Sequence, residues 1–195
     1  MTFYGGSESG DLILGGGVAT GNDVIVAGSG GNNTVVAGTG NATLVGGGNG
    51  EYIFGDKNGA HQQLWASGNE TLMGGGSSAD TFFGFSDVAT AGNAFMTAAN
   101  GTADNQFWAG AGNDTIWTGL GNDTVFVFAD HTAHANTTPG GNDLILGFNA
   151  NSTVWINGYS DATFGSSAQG VTLTLSDGTQ LTFQGITDPT KIKVV

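Results

Sequence analysis

The sequence predicts an all-β fold, a parallel β-roll or β-solenoid of units of about nine residues, closed by a C-terminal β-hairpin cap. The first observation is a motif, Gly-Asn-(Asp or a substitute)-x-apolar-x, that returns along most of the 195-residue chain. The second is a content of 37 Gly against 2 Pro, since glycine allows tight corners. The third is that hydrophobic residues, 38% of the chain, occur as short β-branched or aromatic triplets, which is typical of strands and not of a disordered linker.

The motif has copies in both halves of the chain. These copies are 21–26, 31–36, 40–45, 68–73, 112–117, 121–126 and 141–146. The central apolar residues form a ladder of roughly thirteen half-coils, with longer steps at insertions around 84–93, 97–104 and 127–140. This ladder is Ile13, Ile25, Val35, Leu44, Ile53, Leu64, Leu72, Phe82, Met96, Phe107, Ile116, Val125 and Ile145.

Each unit is expected to form a three-residue strand followed by a glycine-rich corner. Because side chains alternate along a strand, the middle one points inward and the two flanking ones point outward. Two units complete one coil, and successive coils stack about 4.8 Å apart through parallel hydrogen bonding. The Asn of each unit is expected to form a ladder of amides along the corners. In the tail, Asp177-Gly178 between two alternating runs predicts a hairpin.

The charge balance restricts the possible partners. The net charge is −13, there is no Cys and no Arg, and the only cations are Lys57, Lys191 and Lys193. Nucleic acid and anionic membrane surfaces attract Lys and Arg, so neither is an expected partner. No apolar run approaches the roughly 20 residues of a membrane span, and no N-terminal export signal is visible. Divalent cations, other copies of the chain and neutral polymers remain as partners.

The repeats resemble the hemolysin-type calcium-binding (RTX) nonapeptide Gly-Gly-x-Gly-x-Asp-x-apolar-x over about residues 5–147. The tail, with 142–148, 157–159 and 175–185, is similar to the C-terminal cap and secretion module of that family. The resemblance implies an RTX-like β-roll over 1–147 and a cap with a type I secretion signal over 148–195. It also implies an extracellular or cell-surface protein that a Gram-negative cell exports without an N-terminal signal.

The resemblance implies calcium as well, since in the family the Asp and the backbone carbonyls of one corner share Ca²⁺ with the corner one coil away. Here the Asp position reads Asp11, Asp23, Asn33, Ala42, Glu51, Gln62, Glu70, Asp80, Ala94, Asn105, Asp114, Asp123 and Asp143. Only Asp114 and Asp143 are two Asp in register, and Asp123 faces the neutral Asn105. We expect few, weak calcium sites, at Asp114, Asp123, Asp143 and Asn105, or none, and no calcium in the middle of the array.

The third residue of each strand is expected to point outward and to form long apolar columns. The most prominent members are Phe54, Trp65, Met73, Phe83, Trp108, Trp117 and Phe126. Such columns exceed what a soluble monomer usually exposes. Three interpretations remain open: stacking of rings within a column, lateral packing against another copy or domain, and a platform for a polysaccharide.

We expect no enzymatic activity, because the chain has neither a Gly-x-Ser-x-Gly elbow nor a His-Glu-x-x-His motif. His131 and His134, with Asp130, form a possible but weak transition-metal cluster in an insertion. Two functions follow. The first is a secreted, self-assembling structural protein of matrix, surface layer or fibre, present as a homo-oligomer or filament. The second is the C-terminal secretion and calcium-assisted folding tail of a larger exoprotein.

Overall fold

A computed structural model describes residues 1–17, 21–56, 61–74, 76–84, 92–98, 101–128 and 141–195. Almost all regular structure in these residues is β-strand. The strands are β1 (Thr2–Tyr4), β2 (Leu12–Leu14), β3 (Gly21–Val26), β4 (Thr34–Val36), β5 (Gly40–Val45), β6 (Tyr52–Phe54), β7 (Gln62–Trp65), β8 (Thr71–Met73), β9 (Thr81–Phe83), β10 (Phe95–Thr97), β11 (Gln106–Trp108), β12 (Thr115–Trp117), β13 (Thr124–Phe128), β14 (Asn142–Leu146), β15 (Thr153–Asn157), β16 (Ala162–Ser166), β17 (Gly170–Leu175), β18 (Gln180–Gln184) and β19 (Lys193–Val194). A short 3-10 helix, Pro189–Lys191, precedes β19. None of these described residues forms a helix long and apolar enough to cross a membrane.

The strands alternate between two sheets, which confirms the predicted solenoid. The first sheet has the order β1-β3-β5-β7-β9-β11-β13-β15-β19, and the second has the order β16-β17-β18-β14-β12-β10-β8-β6-β4-β2. All neighbours are parallel except at the end of the second sheet, where β16 with β17 and β17 with β18 are antiparallel. The chain therefore crosses from one sheet to the other after each strand from β1 to β15.

The hydrophobic core is the predicted ladder. In the first sheet Ile25 pairs with Leu44, and Leu44 pairs with Leu64; in the second sheet Ile13 pairs with Val35. All thirteen ladder residues are 0% exposed except Ile13, which is 6% exposed. Burial of one such aliphatic or aromatic side chain contributes roughly 1.5–3 kcal/mol, so this column is the main source of stability. Three further strands, β1, β15 and β19, extend the first sheet beyond the ladder seen in the sequence.

Glycine is needed at the corners because successive coils touch there. A Cβ atom on Gly112 would overlap the carbonyl oxygen of Gly92 in the coil before it, and one on Gly141 would overlap the carbonyl oxygen of Gly112. Gly141 also has a φ of 86°, a left-handed conformation that is costly for other residues. A larger residue at these corners would therefore separate two coils.

The C-terminal end of the second sheet consists of the predicted hairpin and one further strand, β16. The hairpin joins β17 and β18 through Asp177 and Gly178, whose φ is 94°, and β16 then pairs with the outer edge of β17. In the described residues the second sheet has ten strands and the first has nine. Phe164 of β16 pairs with the buried Leu173 yet is itself 41% exposed, at the end where the described second sheet has one strand more than the first.

Candidate metal centres at the corners

The residues at the Asp position of the repeat point into the solenoid. They lie two residues before the central apolar residue, and the two-residue period of a strand places both side chains on the same side. The buried polar ones are Asn33, Glu51, Glu70, Asp114 and Asp143 on the second sheet and Gln62, Asp80, Asn105 and Asp123 on the first. Each of these nine is at most 4% exposed. Asp11 and Asp23, near the N-terminal end, are half-buried, and Ala42 and Ala94 interrupt the polar residues. The corners thus form two buried polar columns, one along each sheet, which the strand period in the sequence already implied.

Exposed asparagines one or two residues before the Asp position form the predicted asparagine ladder. The backbone N–H of Asn69 donates to Asn49 Oδ1 at 3.0 Å, and that of Asn93 donates to Asn69 Oδ1 at 2.8 Å. The ladder continues from Asn113 to Asn93 at 2.8 Å and from Asn142 to Asn113 at 2.7 Å. These side chains connect successive coils, so the exposed column has a structural role.

Asp114 and Asp143 are neighbouring carboxylates, and too few hydrogen-bond donors surround them. The backbone N–H of Asp114 donates to Asp143 Oδ1 at 2.9 Å, while Asp114 itself accepts from Ala94 N–H and Gly110 N–H, each at 2.8 Å. Asp143 Oδ2 is buried and has no hydrogen-bond partner in the described part of the chain. Burial raises the pKa of Asp114 to about 6. Burial, and next the negative charge of Asp114, raise the pKa of Asp143 well above its usual range.

The corner with Asn105 and Asp123 is built differently. Asn105 Nδ2 donates to Asp123 Oδ1 at 3.0 Å and to the backbone carbonyl of Ala103 at 2.9 Å. Its Oδ1 accepts from the backbone N–H of Asp80 at 2.9 Å. Asn105 therefore turns its nitrogen toward Asp123, and in this geometry it is a donor. Burial raises the pKa of Asp123, and the backbone and side-chain donors of Asn105 counteract that rise.

The corner with Asn33 and Glu51 repeats this arrangement in the other sheet. Asn33 Nδ2 donates to Glu51 Oε1 and to the Gly28 carbonyl, each at 3.1 Å, and its Oδ1 accepts from Asp11 N–H at 2.9 Å. Glu51 also accepts from two backbone N–H groups of its own corner, at 2.7 and 3.2 Å.

Few hydrogen-bond donors surround the side chain of Glu70, the next residue of this column. Its Oε1 accepts from Ser67 Oγ at 2.7 Å, while Oε2 is buried and unpaired among the described residues. Burial, opposed by the Ser67 hydrogen bond and reinforced by the neighbouring charge of Glu51, raises the pKa of Glu70 to about 8. A proton on Glu70 therefore stabilises this pair near neutral pH.

A hard cation fits the residues of one pair best. Asp114 and Asp143 supply two carboxylates in register, and one of their oxygens is buried without a partner, which is the donor chemistry that Ca²⁺ prefers. Among the described residues no group of three or more His, Cys, Asp or Glu side chains is placed to hold a metal. Backbone carbonyls of the corners would therefore have to complete the coordination. The insertion before Asp143, with Asp130, His131 and His134, lies outside the described residues, as does Lys57.

The predicted outward residues lie in two columns, one on each sheet. On the first sheet Trp65 stacks on Phe83 with ring centroids 3.6 Å apart, Phe83 lies 5.6 Å from Trp108, and Trp108 lies 4.6 Å from Phe126. Two further rings, Phe128 at 5.1 Å from Trp108 and Trp155 at 5.6 Å from Phe126, extend this group. The prediction missed both because it took only one outward residue per strand and ended before β15.

The column on the second sheet is less continuous. It contains Phe54, Met73, Thr97 and Trp117 in register. Thr97 lies between its two larger neighbours and is 3% exposed, whereas Trp117 is 48% exposed. The two columns therefore differ, since the first is a stack of rings in mutual contact and the second contains a single well-exposed indole.

Comparison with protein families identifies the repeat. A family model of the RTX calcium-binding nonapeptide repeat matches four copies, over residues 27–58 and 100–126. The matched segments contain the corners of Asn33, Asn105, Asp114 and Asp123 but not that of Asp143. A search of curated proteins found no match to the chain.

Proposed function

We propose that this array of RTX calcium-binding nonapeptide repeats is a secreted, non-enzymatic structural protein that assembles laterally through the outer face of its first sheet. Repeats of this kind indicate a secreted Gram-negative repeat protein, and the assembly role is our inference from the surface. The observation that carries it is the continuous group of aromatic rings, which lies beside uncharged outward residues on β7, β9, β11 and β13.

The outer face of the first sheet is neutral where the rings lie. Beside the four rings Trp65, Phe83, Trp108 and Phe126, the other outward residues of β7, β9, β11 and β13 include Gln63, Thr81, Gln106 and Thr124. A chain with a net charge of −13 repels its own copies at most surfaces. A charge-free aromatic face is therefore the place where two copies approach at the lowest electrostatic cost.

The arrangement of the rings favours a protein partner over a polysaccharide. A sugar ring packs against the open face of an aromatic ring, but in this group the rings pack against each other. Trp65 and Phe83 are nearly parallel at 12°, and Trp108 and Phe126 are at 20°. Ring faces that pack on one another are closed to a sugar ring, so the group suits packing against the apolar side chains of another sheet better than stacking on a sugar.

The ends of the solenoid fit each other less well than the faces. In the described residues the second sheet extends one strand beyond the first at the C-terminal end, whereas β1 begins the first sheet at the other end. Direct stacking of β2 of one copy on β16 of another would leave one strand position of the first sheet empty beside Phe164. Lateral contact avoids this gap, and a filament formed by end-to-end stacking is the alternative assembly.

We include in the proposal a calcium ion that is bound by Asp114 and Asp143. Ca²⁺ there would neutralise the two stacked carboxylates and bind the unpaired Asp143 Oδ2. Asp123 is the next carboxylate with capacity for a cation, and there Asn105 already supplies a donor. Calcium in this account supports folding of the C-terminal half of the solenoid and takes no part in a reaction.

Sedimentation of the purified chain over a range of concentrations tests the assembly. We expect concentration-dependent mass for the wild type and monomers for the double variant Gln63→Glu, Gln106→Glu, which places charges on the face without touching a ring. The matched control is Gln169→Glu, Gln184→Glu, two exposed glutamines elsewhere, and it should associate like the wild type. A wild type that stays monomeric, or a face variant that associates like the control, would contradict the proposal.

The second candidate is the C-terminal folding and secretion tail of a larger exoprotein. It is favoured by β1, where Phe3 occupies the core position of its strand but is 41% exposed, so that a further coil would cover it. The reading frame upstream of the Met1 codon tests this candidate. A continuous open frame that encodes more repeats supports it, and a stop codon with a ribosome-binding site before Met1 excludes it.

A further inference from the structure

The buried asparagines at the Asp position have a role that differs from that of a metal ligand. We propose that the side-chain amides of Asn33 and Asn105 are built-in substitutes for a bound cation, so that their corners close without calcium. This inference rests on the proposed function, because it takes calcium as the ion that such corners would otherwise need.

The orientation of the Asn105 amide is fixed by its surroundings. Its Oδ1 accepts from the backbone N–H of Asp80 at 2.9 Å, and a flipped amide would place an N–H group against that N–H. The nitrogen must therefore face the other way, toward Asp123 Oδ1 at 3.0 Å and the Ala103 carbonyl at 2.9 Å. The hydrogen-bond network alone determines which atom faces the carboxylate.

The same arrangement occurs independently in the second sheet. Asn33 Oδ1 accepts from Asp11 N–H at 2.9 Å, which directs Nδ2 toward Glu51 Oε1 and the Gly28 carbonyl, each at 3.1 Å. In both corners one amide nitrogen connects a carbonyl of its own corner with the carboxylate one coil further on. Its recurrence on opposite sheets shows that the arrangement is a property of the Asn side chain at this position.

The Asn side-chain amide at this position attracts the same acceptors that a cation between two carboxylates would attract. A cation at Asp114 and Asp143 would attract both negative charges and corner carbonyls, whereas those two residues supply no side-chain donor to each other. Asn105 replaces one of the two carboxylates, which removes the like-charge repulsion, and it offers two N–H donors to the same kinds of acceptor. The amide thus removes one of the two negative charges that would draw in an ion and supplies N–H donors in its place, while Asp123 Oδ2 stays buried without a partner among the described residues.

The isosteric variants Asn105→Asp and Asn33→Asp test this inference. Each places a carboxylate between two others, Asp80 and Asp123 or Asp11 and Glu51, and deletes the two donors. We therefore expect a lower midpoint of thermal unfolding in chelator, and recovery in millimolar calcium. Calorimetric titration should show at least one additional Ca²⁺ per substituted corner relative to the wild type. The matched control is Asn93→Asp, the same change in the exposed ladder, which should alter neither the calcium stoichiometry nor the calcium response.

The outcomes separate the inference from the proposal on which it rests. If Asn105→Asp does not fold in chelator, calcium-triggered refolding seen by circular dichroism supports the inference, and failure to refold with calcium contradicts it. A variant that resembles Asn93→Asp in both conditions also contradicts it. If the wild type shows no calcium response but Asn105→Asp gains one, the inference holds and the calcium role of Asp114 and Asp143 is wrong.

Discussion

Two corners of the same solenoid, one with Asn105 and Asp123 and the other with Asp114 and Asp143, solve the same electrostatic problem in different ways. Both pairs occupy the Asp position, are buried, and connect one coil to the next. In each pair one carboxylate oxygen, Oδ2 of Asp123 or of Asp143, is buried without a partner among the described residues. Only in the first pair does an amide nitrogen contact the carboxylate, and only the second pair carries two carboxylates. The difference of one side-chain atom, nitrogen in place of oxygen, gives the first pair one carboxylate and two N–H donors where the second pair has two carboxylates. By our inference this difference removes the need for an ion.

The largest effect is expected from removal of the amide. In Asn105→Leu, the Ala103 carbonyl and the Asp80 N–H lose their buried partner, and Asp123 loses a donor. Each such loss costs about 1–3 kcal/mol, so we expect a destabilisation of roughly 3–5 kcal/mol by urea unfolding. Calcium should not restore stability, because Leu supplies no ligand. A loss below about 1 kcal/mol would mean that the amide is not what holds this corner together.

The corner of Glu51 and Glu70 should depend on pH. Burial raises the pKa of Glu70 from 4.5 to about 8, so between these values the folded chain keeps a proton that the unfolded chain has released. The contribution of this proton to stability is complete below the lower value and is lost as pH rises through about 8.

The variant Glu70→Gln isolates this effect. At pH 9 it should be more stable than the wild type, by roughly 2–4 kcal/mol, and at pH 4 the two should be similar. Unfolding free energies measured across this range check the prediction. Equal pH slopes for the wild type and the variant would show that Glu70 does not titrate as the account requires.

A smaller effect is expected at the pair of carboxylates. Asp143→Asn removes the like charge and the unpaired carboxylate oxygen, so stabilisation by calcium should disappear. For a weak site at an ion concentration about ten times Kd, that stabilisation is about 1.4 kcal/mol. Thermal unfolding with and without calcium measures it. An unchanged calcium response in this variant would place the ion elsewhere.

The smallest effect is expected in the exposed ladder, where water replaces a lost partner. Asn93→Ala removes the acceptor for Asn113 N–H, a contact of 2.8 Å, and should cost about 0.5–1.5 kcal/mol with no change in calcium binding. Urea unfolding of this variant beside Asn105→Leu compares an exposed amide with a buried one. Equal costs would contradict the importance assigned to burial.

The sequence predicted the solenoid because its central ladder is set by local rules. A strand of period two and a glycine corner place Ile25 over Leu44 without any long-range information, and Asp177-Gly178 specifies its hairpin by turn chemistry alone. The inward direction of the Asp position follows from the same period, although the residue types at this position by themselves indicate only a source of metal ligands.

Such local rules do not predict the orientation of the Asn105 side-chain amide. It depends on the backbone N–H of Asp80, one coil earlier, and on the carboxylate of Asp123, one coil later. The sequence shows that an amide faces a carboxylate, but only the register of three coils shows that nitrogen is the atom in contact. Likewise, the packing of Trp155 beside Phe126 depends on β15 joining the first sheet, which no repeat copy in the sequence marks.

A residue-resolved calcium titration distinguishes the amide corners from the carboxylate corner. Amide chemical shifts of the isotopically labelled chain would be followed by NMR as calcium is added to the chelator-treated protein. We expect the changes in backbone amide shift to concentrate at Ala94, Gly110, Asp114 and Asp143. The backbone and side-chain amide signals of Asn33 and Asn105 should stay unchanged. Equal shifts at Asn33 and Asn105 would show that calcium enters the amide corners, and would contradict the claim that an amide replaces the ion there.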